Sequence, residues 1–139
     1  MSRHNKIQDE VDIIFERPKN ISDLIKIQAI ASWCRERNEE ELGTSISNSD
    51  LFVSAYYEGK LVGSAMVLTD YMYYAVVFDV IVDERFHSKG IGTKIMRALQ
   101  THPSLQKVKR MYLFTRDKQK FYEKLGWQIY PGNALYLER

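Results

Sequence analysis

The sequence predicts an α/β fold: one domain with a mixed, mostly antiparallel sheet and helices on its faces. Three observations carry that reading. The chain has 139 residues, close to the roughly 150 residues of an average domain. Two strand-like runs, 51–57 and 61–69, are joined by Glu58-Gly59-Lys60, a hairpin turn that makes them antiparallel neighbours. Beyond them strands and helices alternate, and each β-α-β step implies a parallel crossover.

Taken in order, residues 11–18 (VDIIFERP) read as a short strand closed by Pro18. Ser22 is the expected N-cap of a helix over about 23–36, whose apolar set Leu24, Ile27, Ala31 and Cys34, with Ile30 beside it, keeps helical spacing. Residues 38–50 are polar and acidic and read as a short helix or loop. After the hairpin, residues 74–82 (YAVVFDVIV) are nearly all apolar, as in a strand covered on both faces. A glycine-containing loop leads to a helix over about 90–101, with Ile91, Ile95, Ala98 and Leu99 as its buried stripe and Pro103 just past its end. Residues 109–114 form the next strand. A helix over 117–125 ends at Gly126, and two short strands, 127–130 and 134–138, flank Pro131-Gly132-Asn133.

Composition narrows the function. Twenty Lys+Arg against 18 Asp+Glu give a net charge of +2, which makes no global case for nucleic-acid binding. The charge is nonetheless segregated: residues 83–110 hold seven Lys/Arg against two Asp/Glu, and residues 36–50 hold one Arg against five Asp/Glu. An anion would prefer the first segment and a cation the second. Apolar runs fall short of the ~20 residues of a membrane helix. The polar start of the chain leads us to expect no secretory leader, and the single Cys34 suits a reducing, cytoplasmic setting. The histidines His4, His87 and His102 lack metal-ligand spacing, so no metal is expected. Cys34, on an apolar stripe, reads as a small buried hydrophobe.

The strongest local feature runs from Val82 to Thr93, between a buried strand and a helix. Gly90 and Gly92 let backbone approach a ligand closely. The first N–H groups of a helix lack intrahelical acceptors and sit at the positive end of its dipole, so a phosphate fits there. Lys89 and Lys94 are expected to strengthen that field. A Walker A loop is excluded, because it requires G-x-x-x-x-G-K followed by Ser or Thr and Gly92-Thr93-Lys94 breaks it. A dinucleotide fingerprint is excluded because Ile95 stands where a third Gly or Ala is needed.

Two segments resemble the GNAT superfamily of N-acetyltransferases. His87-Ser88-Lys89-Gly90-Ile91-Gly92 is similar to that family's loop, in which Arg or Gln is followed by two variable residues, Gly, one variable residue, and Gly or Ala. His87 stands where Arg or Gln is usual, and Ser88 where Gly is common. Phe121-Tyr122-Glu123-Lys124-Leu125-Gly126-Trp127 resembles the family's L-Y-E-K-x-G-F segment. The resemblance covers about residues 11–130. It implies a sheet whose strands 74–82 and 109–114 splay apart, and acetyl-CoA as co-substrate. The pyrophosphate would rest on backbone around His87 and along Ser88, Lys89, Gly90, Ile91, Gly92 and Thr93. The pantetheine arm would pair like an added strand with Val80, Ile81 and Val82. The acceptor implied is a primary amine, and a homodimer is one assembly such enzymes form.

The chemistry needs a neutral amine, an acid for the departing thiolate and a donor for the thioester carbonyl. By the resemblance Tyr122 is the acid; as a plain residue it also reads as a core aromatic beside Phe121. Asp79 is the only charge in residues 75–82, and a buried carboxylate is costly unless paired or used. It is therefore a candidate base or substrate contact, or the partner of a basic group. Period-two alternation puts Asp79 and Ile81 on one face and Val80 and Val82 on the other. Asp70 and Glu39, Glu40 and Glu41 are further carboxylates that could take a proton or hold a cation. Tyr71, Tyr73 and Tyr74 are candidate lining of the acceptor cleft. The expectation is a direct-transfer N-acetyltransferase acting on a small cationic amine, with no nucleic-acid or membrane partner. The competing readings are an acyl-CoA-binding sensor without turnover and, last, an RNA-binding domain, which the lone aromatic Phe86 within 83–110 disfavours.

Overall fold

In the computed structural model, residues 3–139 are described, with side chains from Lys6 onward. The His4 side chain lies outside that set. Five strands form one sheet in sequential order: β1 (Asp12–Ile14), β2 (Leu51–Tyr57), β3 (Lys60–Thr69), β4 (Tyr74–Val82) and β5 (Arg110–Leu113). The first four pair antiparallel, and β5 runs parallel to β4. The β2–β3 turn forms as expected, with Glu58 at φ 50° and Gly59 at φ 78°, the left-handed pair of a tight hairpin. Five helices complete the fold: α1 (Arg3–Glu10), α2 (Ile21–Gln28), α3 (Glu39–Ser47), α4 (Ile91–Thr101) and α5 (Gln119–Glu123).

The sheet is covered on both faces because its strands carry apolar residues in both phases. Val53, Ala55, Val67, Ala75 and Val77 turn to one side and meet α4 through Ile91, Ile95, Met96 and Leu99, all at most 2% exposed. Phe52 and Leu61 turn to the other side, against Leu24 and Ile27 of α2 and Leu42 and Ile46 of α3. Each such side chain contributes about 1.5–3 kcal/mol of burial free energy. The expected α4 stripe is present, with Met96 added and Ala98 only half-buried.

Two regions differ from expectation. The helix over 23–36 ends early. Asn20, not Ser22, caps it, accepting from Ser22 N at 3.0 Å, and α2 stops at Gln28. Ala31 is extended and Ser32–Cys34 form a 3-10 turn. The break keeps Ala31 and Cys34 buried on Ile81 while bringing Trp33 and Arg37 to Asp79. Those tertiary bonds outweigh helix propensity, which is a weak preference. The two short strands at the C-terminus do not form: residues 127–139 are irregular. A strand needs a partner beside it, and these residues have none within the described chain.

Candidate active site

The site is built on a bulge in β4. Ser64 faces Ile81 and Met66 faces Phe78, so Ala65 alone opposes both Asp79 and Val80. One extra residue on one strand reverses the alternation beyond it. Ala75 and Val77 face α4 before the bulge, and Val80 and Val82 face it afterwards. Asp79 carries the reversal at φ 53°, a left-handed conformation costing about 1–2 kcal/mol for a non-glycine residue. Its carboxylate is held in return. Arg37 Nη1 donates to Oδ2 at 2.7 Å, and Trp33 Nε1 donates to Oδ1 at 3.2 Å. Arg37 also donates to the buried Gln28 Oε1 at 3.2 Å. Burial opposes the Arg37 charge, and the hydrogen bond and negative charge of Asp79 more than offset that, raising its pKa. Asp79 and Ile81 thus share the face toward the α2–α3 side, as the alternation within 79–82 suggested.

The same bulge leaves an open stretch of backbone. β5 pairs with β4 only from Tyr74 through Val77, against Arg110 through Leu113. The remaining five residues of β4 therefore have no strand on that side, and the two strands part there. Phe78 and Phe114 face each other across the gap at 6.3 Å. Tyr71, Tyr73 and Tyr74 do not line it. They sit at the other end of β4, where Tyr74 pairs with Arg110 and Tyr71 donates to Asp50 O.

The loop after β4 is shaped by two left-handed residues, Ser88 at φ 62° and Gly90 at φ 80°. The first intrahelical bond of α4 is Lys94 N to Gly90 O. None of the N–H groups of residues 88–93 has an acceptor among the described residues. These groups, at the positive end of an eleven-residue helix, suit a phosphate. Two side chains act otherwise than expected. Lys94 turns away, its Nζ donating to Gln8 O at 2.8 Å and Val11 O at 2.6 Å, where the C-terminal carbonyls of α1 favour a cation. His87 Nε2 lies 2.8 Å from Val82 O, so its ring braces the loop against the strand. Asp83, 8% exposed, accepts from Arg85 Nη2 at 2.9 Å, and that hydrogen bond holds its pKa below the ordinary value.

Strand, loop and α5 converge at Gly92. A Cβ there would lie 3.3 Å from Phe121 Cζ and 3.8 Å from Val82 Cγ2. Tyr122 follows on α5, packed edge-on against Phe121 at 4.9 Å and near Trp127 at 6.3 Å. Its hydroxyl has no hydrogen-bond partner among the described residues, and burial raises its pKa above the ordinary 10.0. It lines a cleft of about 830 Å³ along β5, within the size range of small-molecule sites.

The remaining candidates sort by what holds them. Asp70 Oδ1 accepts from the backbone of Met72, Tyr73 and Tyr74; the Tyr74 bond leads in keeping its pKa low. That carboxylate closes the β3–β4 turn and is a poor proton acceptor. Glu39, Glu40 and Glu41 are exposed on the first turn of α3, immediately after Arg37. Cys34 is 3% exposed, and burial first, then the charge of Asp79, pushes its thiol up to about 11. Sequence reasoning missed Trp33 and Arg37, because the helix was drawn through them. The isolated charge at Asp79 was the signal that a partner existed. Among the described residues no His/Cys/Asp/Glu group is arranged to hold a metal, and no helix is long and apolar enough to cross a membrane.

Comparison with known proteins follows the same lines. The profile of the Acetyltransferase (GNAT) family matches residues 18–127. An uncharacterised N-acetyltransferase of Gracilaria tenuistipitata var. liui is 28% identical over 130 residues, covering 89% of this chain and 70% of its own. The spermine/spermidine N(1)-acetyltransferase of Bacillus subtilis is 36% identical over 89 residues, covering 55% and 59%. In structure, a GNAT-family acetyltransferase from Streptococcus pneumoniae superposes with a TM-score of 0.77 at 21% identity, covering 93% of this chain and 98% of its own. Glucosamine-6-phosphate N-acetyltransferase from Arabidopsis thaliana gives 0.69 at 19% identity, with 93% and 97% covered.

Proposed function

The chain belongs to the GNAT family of acetyl-CoA-dependent N-acetyltransferases, and on that premise we propose that it acetylates a primary amine of a small, multiply charged cation by direct attack in a ternary complex. The observation that carries this reading is the row of free N–H groups at residues 88–93, set beside unpaired β4 backbone and Tyr122. Acetyl-CoA supplies two features these match: a pyrophosphate for the N–H groups of Ser88, Lys89, Gly90, Ile91, Gly92 and Thr93, and an extended amide arm for Val80, Ile81 and Val82. His87 serves by fixing the loop to Val82 O.

In the reaction the amine lone pair attacks the thioester carbon. A C–N bond forms, the C–S bond breaks, and the sulfur leaves as thiolate. Tyr122 gives that thiolate its proton; burial keeps the phenol protonated at neutral pH. The amine's own proton leaves through water. Asp79 is bound to a guanidinium and so is a weak base. Its part is positioning: with Arg37 and Trp33 it holds the bulge that frees residues 80–82. The exposed carboxylates of Glu39, Glu40 and Glu41 would draw a cationic acceptor toward the Asp79 end. The relation to a spermine/spermidine acetyltransferase supports that choice of acceptor.

A binding module without turnover is the second reading, favoured by the pairing of Asp79 with Arg37, which leaves that carboxylate no free basic edge. One experiment separates them. Acetyl-CoA binding is measured by calorimetry, and thiol release is followed with spermidine, spermine, simple monoamines and an N-terminal peptide. Binding with polyamine-dependent thiol release is expected. Binding without release from any amine would establish the module, and no binding at micromolar protein would remove both readings.

A further inference from the structure

β5 is the open edge of the sheet: β4 pairs with one side of it and no strand pairs with the other. Beside that edge lies the cleft of about 830 Å³. One wall is β5, with Met111, Tyr112 and Leu113; the opposite wall is the segment from Trp127 to Pro131, carrying Ile129 and Tyr130. The gap between two extended stretches of one chain is a slot for a strand. An unfilled apolar edge of this kind is a liability that folded proteins cover.

A segment suited to the slot exists in the chain but does not enter it. Leu135, Tyr136 and Leu137 are 92%, 89% and 77% exposed. None of residues 132–139 lines the cleft, and no hydrogen bond ties residues 128–139 to the rest of the described chain. Period-two alternation puts Leu135 and Leu137 on one face and Tyr136 on the other. β5 offers the matching pair of faces, Met111 and Leu113 packed toward the core and Tyr112 opposite.

The hinge explains why the tail stays out of its own slot. Reversing the chain in a tight hairpin at residues 131–133 needs left-handed backbone, and neither Gly132 nor Asn133 adopts it. The Tyr130 ring lies on the hinge: a Cβ at Gly132 would come within 2.9 Å of it. The same ring packs edge-on against Tyr112 at 6.0 Å. Short hinges held open in this way favour exchange between copies.

We infer that the chain forms a two-fold dimer in which residues 133–138 of each copy fill the slot beside β5 of the other. Tyr122 lines that slot, so the partner's segment completes one wall of the cleft that holds it.

Light scattering of the full chain should give twice 16.3 kDa; a monomer would overturn the inference. Ending the chain at Pro131, or placing Leu135→Asp and Leu137→Asp in the full chain, should yield a monomer, and a persistent dimer would locate the interface elsewhere. The decisive measurement uses a Tyr112→Cys chain co-expressed with a Tyr136→Cys chain and a short thiol cross-linker. Cys34 is buried and does not compete. A covalent two-chain species is expected. With both cysteines on one chain, an exclusively intrachain link would show that the tail folds back on itself and would overturn the exchange.

Discussion

Asp79 shows how one side chain can serve a site without reacting in it. Its left-handed backbone would unwind without the Arg37 and Trp33 bonds, so Asp79→Asn should loosen the bulge and raise the KM for acetyl-CoA more than it lowers kcat. Steady-state kinetics at saturating amine check this. Tyr122 carries the opposite expectation. Tyr122→Phe keeps the ring packing on Phe121 and Trp127 and removes only the proton donor. It should lower kcat roughly 100-fold and leave the acetyl-CoA Kd, read by calorimetry, within about twofold. Cys34, with its thiol pushed up to about 11, should resist thiol reagents at pH 8 in the native chain and react at once in denaturant. At this scale the sequence is informative about chemistry and silent about partners. The isolated charge in β4 announced Asp79, yet nothing local ties Arg37 to it across 42 positions. Lys94 misled for the same reason: its acceptors are on α1, more than 80 positions away.

Elements were legible where their signal was local. The β2–β3 hairpin follows from Glu58-Gly59, the α4 stripe from its spacing, and the phosphate-suited loop from Gly90 and Gly92. They were illegible where a distant contact decided the outcome. α2 stops at Gln28 because residues beyond it bond to β4, and the tail lacks strands because its partner is not beside it. The bulge, too, has no local mark in a run that is apolar in both phases. The junction of β4, α4 and α5 at Gly92 gives a test at this scale. Gly92→Val would press on Phe121, costing about 1–3 kcal/mol in a urea titration, and acetyl-CoA affinity should fall with it. Lys94→Met alters an ion held by α1 carbonyls, so it should reduce stability while sparing that affinity.

For the whole molecule, the charge balance of +2 conceals groups whose ionisation supports the fold. Asp83 is the clearest, with a folded pKa below its ordinary 3.8 because Arg85 donates to it. The unfolded chain therefore binds its proton first on acidification. This contribution is fully present above about pH 5, and it is lost as pH falls through 3.8 toward the folded value. Urea midpoints measured from pH 6 to pH 2.5 should fall for the native chain, and Asp83→Asn should flatten part of that fall.

The sequential order of the sheet also has a kinetic consequence. Strands β1 through β4 meet neighbours mainly across short connections, whereas β5 joins β4 only after the chain has closed a long loop through α4. Contacts of high sequence separation form late. Val53→Ala should therefore slow refolding, whereas Leu113→Ala should act mainly by speeding unfolding, as stopped-flow measurements can resolve. The groove between β4 and β5 is then the last part of the protein to assemble and the first to open. Its ligand would lengthen the lifetime of the native state as well as react in it.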